Sequence, residues 1–382
     1  MEPKKLPLND KPFRKIIQGN YLYADKTKYI HKMITENDCC FLSRPRRFGK
    51  TLLLDTLDEL FQGNSELFEG LWIGTSNKYD FKRHPVLRFN MAYAKISAKK
   101  DLEDNIEDDL RDAAKIEGVE ITSNSYGRML GELLRGVNEK YKVGAVVLID
   151  EYDAPVAWNI SDRTLASDNC DVLHGFYSSL KKNINYIRFA FVTGITRFAL
   201  TALDSGPNNF SDISLEPDFA GICGFTFPEI DRLFKDRFKR TLKSLKAKGY
   251  LRQDAKRKDL KEAIRVWYDG YNWLGTKRVL NPYSILNFFK WKRLSDFWPL
   301  SGQPSHLSDL AKEKPLDFIQ PNLNSYPSWT IRKVELGRLE PVPVLFHSGY
   351  LTIDRLILEN IGTEREPDME EMFTFKIPNR EV

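Results

Sequence analysis

The chain has 382 residues, 42% hydrophobic and 29% charged, the composition of a folded globular protein with room for two or three domains. No run approaches the ~18 uncharged apolar residues of a membrane span, and the N-terminal MEPKKLPLNDKPFRK lacks the apolar core of a secretory signal. The four cysteines, Cys39, Cys40, Cys170 and Cys223, form no C-x-x-C pair, so no disulfide scaffold, zinc site or thioredoxin-type site is indicated; reduced thiols in a cytoplasmic protein are expected.

Net charge is modest, 58 Lys and Arg against 53 Asp and Glu, giving +5. It is unevenly spread. Between Asp231 and Arg265, fourteen Lys and Arg stand against five Asp and Glu. That excess reads either as a solvated helix face or as a surface for nucleic acid or an acidic partner.

In chain order, residues 1–35 read as a short extended piece entering a helix. Asp38-Cys-Cys-Phe-Leu-Ser43 is a short apolar run, followed by the basic loop RPRRF, then Gly49-Lys50-Thr51, then TLLLDTLDELF with helical spacing. A second strand is expected at 85–91, and charged helices at about 100–117 and 126–142. The run at 143–149, VGAVVLI, has the pattern of a strand buried on both faces. A helix near 165–184 then leads to another buried strand at 187–193. Strands separated by helices predict a parallel α/β sheet.

After about residue 215 the character changes. Thr226, followed by Pro228 and Glu229, is a helix start, and the basic helix is expected to run on to Lys248. Residues 260–330 read as mostly helical. Residues 338–382 combine a helical piece with two alternating strands, 350–354 and 372–377, the make-up of a winged-helix module. No repeat or low-complexity tract is present.

The central chemical signal is Arg44-Pro45-Arg46-Arg47-Phe48-Gly49-Lys50-Thr51. A phosphate-binding loop wraps backbone N–H groups around a phosphate and aims a helix N-terminus at it. Its Lys reaches the β- and γ-phosphates and its Ser or Thr hydroxyl ligates Mg²⁺. Lys50 and Thr51 stand where those roles require, while Arg44 occupies the position of the first glycine in G-x-x-x-x-G-K-[ST]. About 100 residues later, Val146-Val-Leu-Ile-Asp150-Glu151 is an apolar strand ending in two carboxylates. Asp150 is expected to hold Mg²⁺ and Glu151 to polarise the attacking water, with Asp153 as a supporting carboxylate. The next strand ends in Thr193-Gly194-Ile195-Thr196-Arg197. There, Thr193 or Thr196 reads either as a γ-phosphate sensor or as a cap of the next turn, and Arg197 as a group approaching the phosphates.

These residues carry a resemblance. YLYADKT, FLSRPRRFGKTLLL, LIDEYDAP and FVTGITRF resemble the AAA-ATPase-like family of P-loop proteins, and so do CGFT, WYDGYNW, VLNPYSIL, SGQPSHL, FHSGYLTI and KIPNREV further on. In that family RPRRFGK[ST] is the usual phosphate loop, so Arg44 is a family trait. Members commonly carry a PD-(D/E)XK nuclease-like domain after KIPNREV. This chain is expected to be either a lone ATPase part or one cut before the nuclease, and no nuclease activity is assigned to it. The family is also similar to archaeal-type and STAND ATPases, which implies that Gly302-Gln303-Pro304 is the lid element near the base and His306 a neighbour of the phosphates. Tyr23, Asp25 and Lys26 read either as base-pocket lining or as core. Trp267, Tyr268, Tyr271 and Trp273 read either as a base-stacking platform or, the commoner case, as the core of the lid.

The expectation is an α/β P-loop NTPase of the additional-strand type: an ATPase domain over 1–215, a helical lid over 216–335, and a winged-helix-like segment over 336–382. ATP or ADP would be held by Pro45, Arg46, Arg47, Phe48, Gly49, Lys50, Thr51 and Pro304. Mg²⁺ would be held by Thr51 and Asp150, and Glu151, Lys50, Thr193 and Arg197 would act in hydrolysis. Two other outputs stay open, a nucleotide-dependent switch with little turnover and a DNA-binding module using 231–265 and the winged helix. The expected partners are a nucleotide, nucleic acid, and a second copy or a nuclease domain, in a nucleic-acid-processing or defence system.

Overall fold

The computed structural model describes residues 4–198, 210–276, 278–301, 325–332, 334–336, 339–362 and 368–382. Five parallel strands form its central sheet: β1 (Cys39–Ser43), β2 (Val86–Asn90), β3 (Ala145–Asp150), β4 (Ile187–Gly194) and β5 (Ser211–Asp212), in the order β2-β3-β4-β1-β5. β4 thus separates the loop strand β1 from the carboxylate strand β3. Ser43 pairs with Gly194, and Ile149 with Val192, so the C-terminal ends of β1, β3 and β4 meet at one edge. Ligands of open α/β sheets bind outside that edge.

Each central strand is apolar throughout because both faces are covered. Cys39, Phe41, Ala145, Val147, Ile149, Ala190 and Val192 point to one face, into a core shared with Leu87 and Phe89 of β2. Cys40, Leu42, Val146, Leu148, Phe189 and Phe191 point to the other. Parallel strands need long crossovers, and helices supply them. On the second face lie α1 (Phe13–Gln18), α2 (Thr27–Glu36) and α3 (Lys50–Phe61), the last burying Leu53, Leu54, Leu57, Leu60 and Phe61 at helical spacing. A short α4 (Trp72–Thr75) follows. The first face is covered by α5 (Lys99–Glu117), α6 (Tyr126–Tyr141) and α8 (Arg163–Lys182), with a short α7 (Ala154–Ala157) directly after β3. Asp162 caps α8, its carboxylate accepting from Leu165 N at 3.0 Å.

Beyond β5 the chain builds a helical layer around Ile230, Phe234, Phe238, Leu260, Ile264, Tyr268, Phe288 and Phe289. Thr226 and Glu229 form a capping box at the start of the helix Phe227–Leu233. The basic helix expected to run unbroken to Lys248 is two helices, Phe227–Leu233 and Lys235–Ala247. The break falls at Phe234, whose buried ring stacks on Phe289 at 4.4 Å. Two further helices, Arg257–Tyr268 and Pro282–Trp291, complete the layer. Between them the expected helix gives way to a strand: β7 (Val279–Leu280) pairs antiparallel with β6 (Phe225–Thr226).

The C-terminal part holds the helices Ser328–Arg332 and Pro341–Ser348 and a three-stranded sheet, in which β10 (Met369–Lys376) lies between β8 (Tyr326–Pro327) and β9 (Thr352–Asn360). The hairpin strands run past the alternating segments read from the sequence, because the ladder continues where its side chains are exposed. Ile331, Phe346, Phe373 and Phe375 share one core with β1 and α3. The closing KIPNREV segment lies along the end of Arg257–Tyr268, with Arg380 N donating to Val266 O and Glu381 N to Trp267 O, both at 3.1 Å. Among the described residues no helix is long and apolar enough to cross a membrane.

Candidate functional site

The turn from β1 into α3 carries Arg44–Thr51. Gly49 caps α3 with φ of 96°, a backbone conformation that glycine adopts without strain, and a Cβ there would meet no atom within 4 Å. The glycine is therefore required by conformation, and the space over the helix N-terminus is open. The first N–H groups of α3 point into that space with the positive end of the helix dipole. Lys50 is buried, its Nζ donating to the carbonyls of Arg44 (3.0 Å) and Pro45 (3.4 Å).

Thr51 and Asp150 are brought together by the sheet. Thr51 Oγ1 donates to Asp150 Oδ2 at 2.8 Å, and Asp150 Oδ1 accepts from Glu151 N at 3.0 Å. Glu151 stands just past β3 with φ of 50°, an uncommon conformation for a glutamate and one that recurs at functional turns. Asp153 is buried two residues on. Its carboxylate accepts from Thr196 N at 2.7 Å and from Ile195 N at 3.1 Å. Burial, and then the neighbouring Glu151, push its carboxyl up to about 6, against the pull of those two N–H donors. A Cβ on Gly194 would overlap the Asp153 carboxylate, so glycine is needed for this approach. Asp153 thus ties the end of β3 to the end of β4.

The expected sensors and Arg197 stand at and just past the end of β4. Thr193 Oγ1 donates to Leu42 O at 2.7 Å in the buried sheet, Asp153 accepts from Thr196 N, and Tyr152 Oη donates to Thr196 O at 2.7 Å. Arg197 pairs with Asp212 on β5 at 3.1 Å and lies 4.2 Å over the Phe41 ring. In this structure the Thr193 hydroxyl rests on a strand carbonyl and Arg197 on a carboxylate. Pro304, with Gly302, Gln303 and His306, lies outside the described residues.

A cleft of about 710 Å³ opens at the loop, lined by residues 46–51, Glu151 and the N-terminal segment. That size suits a small organic ligand. Tyr23 and Lys26 line it, as do Cys223 and Tyr283. Lys26 Nζ pairs with Glu229 at 2.8 Å, which joins the cleft wall to the helical layer, and burial pulls its ammonium below the ordinary lysine value. Asp25 is spent on structure, its carboxylate accepting from Thr27 N, Thr27 Oγ1 and Trp72 N.

The back of the loop is held by residues that sequence reading did not assign to it. Arg44 is fully buried and donates from Nη1 to Ser43 O (2.8 Å) and Ser214 O (2.7 Å), with its guanidinium 4.3 Å over Trp273. Burial lowers that guanidinium to about 10, so it stays charged at neutral pH. Phe48 packs edge-on against Tyr271 at 4.9 Å and Trp273 at 5.1 Å. The Arg46 carbonyl accepts from Trp298 Nε1 (3.1 Å) and Asn281 Nδ2 (3.4 Å), and Arg47 pairs with Asp10 at 3.1 Å. Of the aromatic set, Tyr268 lies in the core of the helical layer with Trp267 half-buried against it, while Tyr271 and Trp273 belong to the core shared with β1 and α3 and seat the loop. WYDGYNW and VLNPYSIL were visible as motifs, but nothing local in them names Phe48 or Arg46 as a partner.

Two comparisons bear on the site. A family described as "Predicted AAA-ATPase" matches residues 7–204. A protein of Azotobacter chroococcum mcd 1, described as an uncharacterized protein in the vnfD 5' region, is 34% identical over 386 aligned positions, covering all of this chain and 69% of that protein.

Proposed function

The chain belongs to the family of predicted AAA-ATPases, and from that premise we propose that it binds ATP with Mg²⁺ at the loop between β1 and α3 and hydrolyses it. The observation that carries the reading is the Thr51–Asp150 hydrogen bond of 2.8 Å beside the open space over Gly49. The residues fit both groups. A hydroxyl and a carboxylate oxygen in contact are hard ligands suited to Mg²⁺, which usually binds one or two carboxylates together with substrate phosphates. Among the described residues no three His, Cys, Asp or Glu side chains gather into a metal cage, so the cation would rest on Thr51, Asp150 and the phosphates.

When bound, Mg²⁺ neutralises phosphate charge in the transition state. Lys50 would exchange the Arg44 and Pro45 carbonyls for phosphate oxygens, a short swing from its present position. Backbone N–H groups at the start of α3 would orient the phosphates. The Glu151 carboxylate would accept a proton from the attacking water. Asp153 would keep the ends of β3 and β4 in register behind it. Residues 1–215 would form the ATPase unit, 216–335 a lid over the cleft, and 336–382 a winged-helix-like segment.

Glu151→Gln tests the assignment. ATP binding should be retained and turnover should fall by about 10²–10⁴; wild-type turnover in this variant contradicts it. A second reading, a nucleotide-dependent switch with little turnover, is favoured by the grip of Trp298 and Asn281 on the Arg46 carbonyl, which couples the loop to the helical layer. Nucleotide that copurifies, with no multiple turnover, would select the switch.

A further inference from the structure

The hairpin strand β9 stands at the edge of its three-stranded sheet, and among the described residues no strand pairs with its outer side. Asn272 covers only its start, with N donating to Thr352 Oγ1 at 2.7 Å and Nδ2 to Ile353 O at 3.3 Å. Beyond that the edge is apolar. Leu356 is 45% exposed and Leu358 63%, on one face of the strand at its period of two. Natural sheets guard such an edge with lysine, proline or a bulge. Residues 352–360 hold neither lysine nor proline, and the register shift of the hairpin falls at Asp354, before the leucines.

The ladder decides which backbone groups are left for a partner. Ile361 N donates to Asp368 O at 2.8 Å, one rung past the Asn360–Met369 pair, and Arg355 N turns to Thr374 Oγ1 at 3.2 Å. Hydrogen-bonded and open rungs alternate in an antiparallel pair. Arg355, Ile357, Glu359 and Ile361 therefore turn their N–H and C=O groups towards β10, and Leu356 and Leu358 turn theirs outward. An antiparallel partner must meet these outward groups with outward groups of its own.

A second β9 can do so in few registers, and charge selects among them. Two-fold symmetry about Ile357 sets Leu356 opposite the partner's Leu358 and Arg355 opposite the partner's Glu359. An axis at Glu359 would set two carboxylates face to face. An axis at Leu358 or Leu356 would set Glu359 or Arg355 opposite the partner's Ile357. Opposite charges across a rung stabilise a sheet and like charges destabilise it. Within the chain Glu359 already faces Glu370 of β10, a like-charge rung that the partner's Arg355 would relieve. Arg355 is exposed, its guanidinium 3.4 Å from the adjoining Asp354, which also pairs with Lys376. Glu359 Oε1 accepts from Ser325 Oγ at 2.8 Å, so the pairing would engage its other oxygen or turn it from that hydroxyl.

We propose that the outer edge of β9 is a homodimer surface: two copies join β9 to β9, antiparallel about a two-fold axis at Ile357, and so merge their three-stranded sheets into one. The leucine rungs would exchange about four backbone hydrogen bonds. A peptide strand of one charge would answer either Arg355 or Glu359, whereas a second copy answers both, in order. A single edge strand is a small interface, so the dimer should be reversible, with Kd of about 10–100 µM. The proposal does not rest on nucleotide binding, and none of these residues lines the cleft.

Sedimentation velocity of the whole chain, from about 1 to about 300 µM, tests it. Wild type should pass from monomer to dimer over that range. Leu358→Pro removes an outward N–H without breaking a rung of the hairpin, and should stay monomeric. Arg355→Glu and Glu359→Arg should each weaken the dimer about tenfold, because each sets like charges face to face on both sides of the axis. The double variant, Arg355→Glu with Glu359→Arg, should restore it. Melting temperatures close to wild type keep the comparison on association, and the charge variants carry the test if the proline variant does not fold. The proposal is overturned by a wild type that stays monomeric throughout, by open-ended assembly, by a dimer that survives a folded Leu358→Pro, or by a double variant as weak as the single ones.

Discussion

The Arg44 guanidinium lies 4.3 Å from the centre of the Trp273 ring, across 229 residues of chain, at the position where the general phosphate-loop pattern has its first glycine. The arginine makes no approach to the cleft. It fills a buried site behind the loop and satisfies the carbonyls of Ser43 and Ser214. Arg44→Gly would restore the general pattern, yet it should lower stability by about 3–5 kcal/mol, by leaving a cavity and two unpaired carbonyls. Arg44→Lys keeps the charge without the flat, forked donor and should fall between. Urea denaturation measures both. A glycine variant as stable as wild type would show that Arg44 does not hold the loop.

Phe48 should matter for the same reason. Its ring sits between Tyr271 and Trp273, so Phe48→Ala should cost about 3–5 kcal/mol and Phe48→Leu less than about 1.5 kcal/mol. Because this ring anchors the loop, the alanine variant should also bind ATP more weakly at temperatures where it is still folded. Calorimetric titration below the melting transition checks this, and unchanged affinity would separate loop packing from nucleotide binding.

The contrast between these residues and Lys50 shows what a sequence can reveal. Strands β1, β3 and β4 were legible because burial on both faces leaves continuous apolar runs, such as Ala145–Ile149. Lys50, Thr51, Asp150 and Glu151 could be read as candidates because the glycine-lysine-threonine turn and the carboxylate-ended strand are local patterns. The partner of Arg197, Asp212, was hidden because it sits on a two-residue strand too short to see by periodicity. The acceptor of the Thr193 hydroxyl, Leu42 O, was hidden because it comes from a neighbouring strand. The helix break at Phe234 was hidden for a similar reason: it depends on Phe289, far along the chain. What was hidden in each case was a contact between distant segments.

Gly194 offers a sharp steric test. A methyl group there would collide with the Asp153 carboxylate, which holds the N–H groups of Ile195 and Thr196. Gly194→Ala should therefore destabilise the protein by about 1–3 kcal/mol and impair hydrolysis more than ATP binding, because it displaces the strand end beside Glu151. Parallel measurement of kcat and of equilibrium affinity checks the split; wild-type values of both would remove Asp153 from the account.

Glu381 predicts a pH dependence. Its carboxylate is buried, accepting from Ser284 Oγ at 2.7 Å and Trp298 N at 2.8 Å, while Oε2 has no hydrogen-bond partner among the described residues. Burial pushes the carboxyl up to about 7, from an ordinary value of 4.5. The folded protein therefore holds this proton more tightly than the unfolded chain does. The resulting stability is fully present below about pH 4.5 and is lost as pH rises through 7. Glu381→Gln keeps the acceptor without the charge. Relative to this variant, wild type should lose on the order of 2 kcal/mol between pH 5 and 8. Parallel stability–pH curves for the two proteins would contradict this.

The most direct test of the central claim is steady-state Mg-ATP hydrolysis by wild type and Lys50→Ala, with ATP binding measured on both. Wild type should bind and turn over ATP, and Lys50→Ala should lose turnover and bind weakly while its melting temperature stays close to wild type. Equal turnover in the two proteins, or no ATP binding by wild type, would contradict the assignment of Lys50, Thr51 and Asp150 as a nucleotide site.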